Sequence, residues 1–361
     1  MPSQICHALV ARMALDASGV EYSSLVTPAF NLGCQGPDIF SHNRRTKPFA
    51  IAYSRMLHRG GYGRFCGNLS RLIRNSPQAG NPDVVSWFLG FVTHQEADRV
   101  LHPYIINRSH YSCTIGVPDV SPALIHAFFE RILDVCLLSA IERRAVSSFD
   151  TGDPFFLGEA SCRPIAEIIA KALAETYDET PLEDELETRV MNAFSDAIFF
   201  YAITNPARTA LARRAGRDEI AAYDERGASA VALLYPASVE GSDWLNEARL
   251  PWKDPVDGRA RTESAVDLFY KAVERASRIV GLAYRAIKLS EGTHNSGELS
   301  RASDELARVI GDSCLSIAGP DGRIAPVVAS EPFDLVSALK REVAFRDAWL
   351  AGDPGTGEAL S

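Results

Sequence analysis

The sequence predicts an all-α protein, and three observations carry that expectation. Apolar residues recur at helical spacing in segment after segment. Strand-like runs are confined to 230–235 and 324–328. No internal repeat, heptad run or low-complexity block interrupts the pattern. With 361 residues the chain can bury a large core as one domain or two, and a content of 46% hydrophobic and 23% charged residues places it among ordinary globular proteins.

The first helix is expected over 5–16, ending before Gly19 and carrying His7 near its start. The stretch from Phe30 to Pro48 contains Gly33, Gly36 and Pro37, which force a turn and set Asp38 at the entrance of the next helix; Asp38 taken alone reads as a helix cap. Residues 48–59 read as a helix with His58 in its last turn, where positive charge also suits the helix dipole. Another helix or half-helix follows over 64–74, then a Pro/Gly/Asn loop at 76–82.

The stretch from Trp87 to Pro103 organises the chain. It reads as part of one helix over 83–107, whose Trp, Phe, Leu and Val residues anchor it in a core while His94, Asp98 and His102, spaced four and four, share one stripe. Two imidazoles and a carboxylate are a ligand set for a divalent metal, and zinc accepts this mixture. Eight residues of helix rise about 12 Å, so His94 and His102 are not expected on one ion, whereas Asp98, midway, can bridge two. Ser121 and Pro122 then open a helix through Ile141, on which His126 and Glu130 form an i,i+4 pair that reads as a ligand pair or as an ordinary hydrogen bond.

A loop at 147–158 marks the expected boundary between a metal-binding helical core, 1–150, and a C-terminal helical extension packed on it, 151–361. Helices are expected there over 163–177, 182–202, 205–215, 262–289, 297–316 and 333–350, with a less regular region up to about 260 and a frayed tail from Gly352.

The net charge of −9 is unevenly placed: residues 1–150 hold 14 Lys+Arg against 11 Asp+Glu, and the remainder is strongly acidic. All histidines but His294 lie in the first 126 residues, so the chemistry is expected in the front half. A mildly basic, metal-bearing front half suits an anionic substrate such as a phosphoester, while the acidic balance argues against a broad nucleic-acid surface. Seven scattered cysteines without a C-x-x-C pair point to neither a disulfide framework nor a cysteine zinc site. With no signal-peptide pattern and no apolar run of about 18 residues, the expected location is cytoplasmic.

Taken together, His7, Gly36-Pro-Asp38-Ile-Phe40, His58, the H-x-x-x-D-x-x-x-H-P run from His94 to Pro103 and the H-x-x-x-E pair His126/Glu130 resemble the zinc-dependent phospholipase C family, which is related to zinc-dependent single-strand nucleases. The segment Leu250-Pro-Trp-Lys-Asp-Pro-Val-Asp-Gly258 also looks like a tail element of intracellular bacterial relatives, extending the similarity from residue 5 to about 290. The resemblance implies a multi-helix bundle with additional C-terminal helices. It implies one zinc on Asp38, His58, His94 and Asp98, a second on His102, His126 and Glu130, and a third on His7 sharing Asp98. Secreted members complete that third site with the α-amino group of an N-terminal tryptophan, from which this Met-Pro start departs.

The implied activity is phosphodiester hydrolysis, with Asp38 orienting or deprotonating the attacking water. Arg44, Arg45, Lys47 and Arg59 flank ligand positions and can receive a phosphate or acidic headgroup, though each singly reads as solvated surface. His42, four residues after Asp38, is a candidate to touch substrate or orient a ligand; His110 and His294 read as incidental. The substrate class is a phosphoester, a phospholipid headgroup at a membrane surface included.

An HD-type phosphohydrolase is excluded by the lack of an adjacent His-Asp dyad, and a ferritin-like site by His-x-x-x-Glu in place of Glu-x-x-His. A single-strand nuclease and a catalytically silent, metal-stabilised helical scaffold are the competing readings.

Overall fold

A computed structural model describes residues 3–109, 121–177, 183–207, 231–236, 239–288 and 296–350. Its described residues form an all-α fold with one small hairpin. The helices are α1 Gln4–Ala17, α2 Thr27–Cys34, α3 Asp38–Ser41, α4 Ile51–Arg59, α5 Tyr62–Arg74, α6 Pro82–Phe91, α7 His94–Arg108, α8 Pro122–Glu142, α9 Glu159–Thr176, α10 Glu183–Ile203, α11 Ala265–Ile287, α12 Ser296–Ile310 and α13 Leu335–Leu350.

The expected single helix over 83–107 is two helices. It breaks at Val92–Thr93, where the backbone N–H of both residues and the Thr93 hydroxyl return to α6 carbonyls, and α7 restarts at His94. Helix α2 lies where the sequence suggested only a turn. It crosses α6 so closely that a Cβ at Gly33 would overlap the Trp87 carbonyl and one at Gly90 the Phe30 carbonyl. Glycine is required there because the two backbones touch.

Residues 231–233 of the expected 230–235 strand form a 3-10 turn, and in 324–328 only Ile324 makes a bridge, to Ala318. The true hairpin pairs β1 Trp252–Lys253 antiparallel to β2 Ala260–Arg261, inside the region read as irregular. Of the expected helix 205–215, residues 208–215 lie outside the described residues, as do His110, His294 and the tail after 350.

Helix α11 starts at Ala265 because Ser264 and Asp267 form a capping box. Its apolar face, including Leu268, Phe269, Ala272, Ala276 and Ile279, is buried, and the helix packs on α1, α7 and α5. Helix α12 lies on α5, and α9 packs between α5 and α10. The core is therefore continuous across the expected boundary at 147–158, and α1, α3, α4, α7 and α8 converge within it. Among the described residues no helix is long and apolar enough to cross a membrane.

A candidate metal centre

Each predicted ligand is delivered by a different local device. His7 comes from the first turns of α1, whose N-terminus is fixed by Asp134 of α8: its carboxylate accepts from the backbone N–H of Ile5 (3.0 Å) and Cys6 (2.8 Å). A helix N-terminus with open N–H groups is completed here by a carboxylate far away in sequence. Asp38 opens α3 just after Gly36, whose φ of +56° turns the chain and whose missing side chain leaves room for the His94 ring; a Cβ there would overlap the imidazole. His58 stands in the last turn of α4, and its Nδ1 donates to the Ser54 carbonyl at 2.7 Å, which directs Nε2 inward. His94 Nδ1 faces the Cys34 carbonyl at 3.3 Å and likewise presents Nε2. His102 Nδ1 lies 3.1 Å from the Asp98 carbonyl, and His126 Nδ1 3.0 Å from the Ser109 hydroxyl.

Asp98 sits at the centre, fully buried. Its Oδ2 is 3.3 Å from His94 Nε2 and 3.5 Å from His58 Nε2, while Oδ1 is 3.6 Å from His7 Nε2 and 3.8 Å from His102 Nδ1. Asp38 Oδ1 lies 3.2 Å from His58 Nε2 and 4.0 Å from His94 Nε2. His126 Nε2 is 2.8 Å from Glu130 Oε1, and the His102 and His126 rings are parallel at 5.9 Å. Three groups can each hold a metal ion, their ligand atoms within 4.8 Å of one another: His7, His94 and Asp98; Asp38, His58 and His94; His102, His126 and Glu130.

The donor set fits a metal on a physical criterion. Both nitrogens of His7, Nε2 of His58 and His94, Oδ1 of Asp38 and both oxygens of Asp98 are buried without a hydrogen-bond partner. Buried polar atoms are otherwise satisfied almost everywhere in proteins, so a cluster aimed at one point needs something to bind. The electrostatics agree. Burial works against charge on His58, yet the facing carboxylates of Asp38 and Asp98 outweigh it and raise its pKa to about 10. Burial and neighbouring His94 push His7 well down, and burial takes His102 down to about 3. His7 and His102 are thus kept neutral and Asp98 and Glu130 ionised, the states in which these groups bind metals, while His58 must give up its proton to do so.

The remaining predicted residues lie beside this cluster. His42 caps α3 and stacks on Phe200, ring centroids 4.1 Å apart; burial, with Arg131 and Arg44 adding, holds it near 3. Arg44, Arg45 and Lys47 are exposed on the following loop, and Arg59 is exposed beyond His58. Residues that sequence reasoning missed are Asp134 and Arg99, and Gly36, read there only as a turn, also makes room for the His94 ring. Arg99 follows Asp98 on α7 and donates to the carbonyls of Ile310, Gly311 and Ser313, while Leu315 N–H donates to the His58 carbonyl at 2.8 Å. For Gly36 the Gly-Pro turn was a signal; for Asp134 and Arg99 nothing local announces partners more than 100 residues away.

No curated protein and no solved structure matches the chain. A family model does: residues 1–199 match the family described as zinc dependent phospholipase C, and that span contains every predicted ligand from His7 to Glu130. On this match over more than half its length, the chain belongs to the zinc-dependent phospholipase C family.

Proposed function

We propose that the protein is a zinc-dependent phosphodiester hydrolase of the phospholipase C type. The observation that supports this best is the convergence of unpartnered buried nitrogen and oxygen atoms of His7, Asp38, His58, His94 and Asp98. Asp38, His58, His94 and Asp98 would hold one zinc and His102, His126 and Glu130 a second, with His7 and Asp98 available to a third. Zinc bound there supplies Lewis-acid charge to a phosphodiester and lowers the pKa of water toward neutrality.

The chain's own groups do the rest. Asp38, at the entrance to α3 and buried, orients the attacking water and takes its proton through Oδ1. The carbonyls of Ser54, Cys34 and Asp98 fix the ring planes of His58, His94 and His102. The exposed guanidinium groups of Arg44, Arg45 and Arg59 receive the anionic substrate. The cytoplasm is the proposed compartment, since Cys6, Cys34, Cys66, Cys136, Cys162 and Cys314 are all free.

The test is hydrolysis of a chromogenic phosphodiester by the purified protein. Chelation is expected to abolish turnover and zinc to restore it, and Asp38→Asn to lower kcat by about 100-fold or more. Turnover that survives chelation, or an Asp38→Asn enzyme at full rate, would sink the proposal.

A further inference from the structure

A trough of about 680 Å³ lies between α9 and α10, within the size range of small-molecule sites. Leu157, Met191, Phe194, Ile198 and Phe199 line it, and Phe156 stands at its edge with 60% of its surface exposed. Single exposed phenylalanines are common, but one beside an apolar trough extends a surface that water covers at a cost.

One end of the trough is cationic. The Arg45 guanidinium lies 3.7 Å from the Phe199 ring centroid, and its backbone N–H donates to the buried carboxylate of Asp196 at 2.7 Å. Asp196 also accepts from the Asn43 amide, the Thr46 N–H and the Thr46 hydroxyl, so the arginine-bearing loop is fixed to α10. Toward the other end Arg163 pairs with Glu159 and Glu187, which leaves that end with one excess negative charge, so the cationic end is the one at Arg45. From Glu187 to Phe199 is roughly 18 Å along the helix axis. The loop itself leaves α3, which begins at Asp38 and whose cap His42 stacks on Phe200, the neighbour of Phe199.

Metal-ligand candidates, arginine loop and apolar trough are thus successive along a short path of the fold. A water-soluble phosphodiester would need only the first two. We propose that the α9–α10 trough receives an acyl chain of a phospholipid whose phosphate meets the Arg44–Arg45 loop. The phosphate's destination rests on the hydrolase reading above; the trough's occupancy does not. Charge complementarity selects the occupant, because an anionic group joined to an apolar tail matches a guanidinium stacked on the aromatic end of an apolar channel.

The experiment titrates the metal-free full-length protein with phosphatidylglycerol bearing a pyrene-labelled acyl chain, below its aggregation threshold, with glycerophosphoglycerol as an acyl-free competitor. The wild type is expected to bind the labelled lipid and to keep it against the competitor. Met191→Glu is expected to weaken binding by about tenfold or more, since it places a charge among apolar groups, and the exposed-edge variant Phe156→Ala by a few-fold.

Absence of binding by folded wild type, equal affinity in the variants, or displacement by the acyl-free competitor would each overturn the proposal. So would a wild type that ignores lipid but self-associates through this face and dissociates in Met191→Glu. Lipid binding without zinc-dependent turnover of a chromogenic diester would support the trough and refute the hydrolase reading. Turnover without lipid binding would do the reverse.

Discussion

Asp98 is enclosed on both oxygens, with His58 and His94 on one side and His7 and His102 on the other. Burial disfavours its charge, but the surrounding imidazoles hold its pKa well below the usual carboxylate range. Such a residue cannot be replaced by a neutral isostere without changing what the cluster binds. Gly36 is as demanding for a steric reason. Gly36→Ala forces a Cβ against the His94 ring at φ +56°, and is expected to cost about 1–3 kcal/mol and to weaken metal binding, read by thermal melts and metal titration.

Asp134, which anchors the start of α1 just before His7, offers a pH test on a group that is not itself a predicted ligand. Burial raises it to about 6, against the opposing effects of Arg131 and the N–H groups of Ile5 and Cys6; the Tyr235 hydroxyl also faces it. A folded pKa above the ordinary 3.8 means that its contribution to stability is complete below that value and is lost as pH rises through about 6. Between pH 4 and 7 the Tm of metal-free wild type should therefore fall relative to Asp134→Asn, by about 2 °C or more. Parallel Tm curves would contradict the assignment. Of these residues, His94, Asp98 and His102 were legible because helical spacing alone aligns them. Asp134 was not, because its partners at the start of α1 are joined to it only by folding.

At the scale of elements, long amphipathic runs were readable and short or interrupted ones were not. Helices α8, α10 and α11 run close to their expected bounds, α11 with a clearly one-sided apolar face. Helix α2 is eight residues long and ends in the Gly33–Gly36 segment, so its turn signal masked its helix. The break between α6 and α7 carries no proline or glycine at Val92–Thr93; it is made by hydrogen bonds that only the packed structure fixes. The two-residue strands of the hairpin are too short to show alternation. A local device that can be tested here is the α11 capping box, where Ser264→Ala is expected to cost about 1 kcal/mol in denaturant unfolding.

At the scale of the whole molecule, the C-terminal part grips the helix that carries His94, Asp98 and His102. Arg99 holds the loop after α12, the Tyr104 hydroxyl donates to the Trp244 carbonyl at 2.8 Å, and the carbonyls of Asn107 and Arg108 accept from Glu331 and Phe333. None of those partners lies within the matched residues 1–199. We propose that the acidic C-terminal half serves as a brace for the metal-binding core. Arg99→Ala is then expected to lower stability by about 1–2 kcal/mol, because it leaves the Ile310 and Ser313 carbonyls without this donor while Gly311 keeps the Gly63 N–H. A chain cut after residue 199 uncovers the faces of α1, α5 and α7 that α11 and α12 bury, and is expected to aggregate on expression.

The most direct measurement is zinc content per chain, by elemental analysis of protein purified without added metal, for wild type and Asp98→Asn. Bridging by Asp98 predicts about two or more zinc ions in the wild type and a loss of zinc in a variant that remains helical by circular dichroism. A folded wild type without zinc, or an Asp98→Asn protein that keeps the full complement, would contradict a metal centre organised on Asp98.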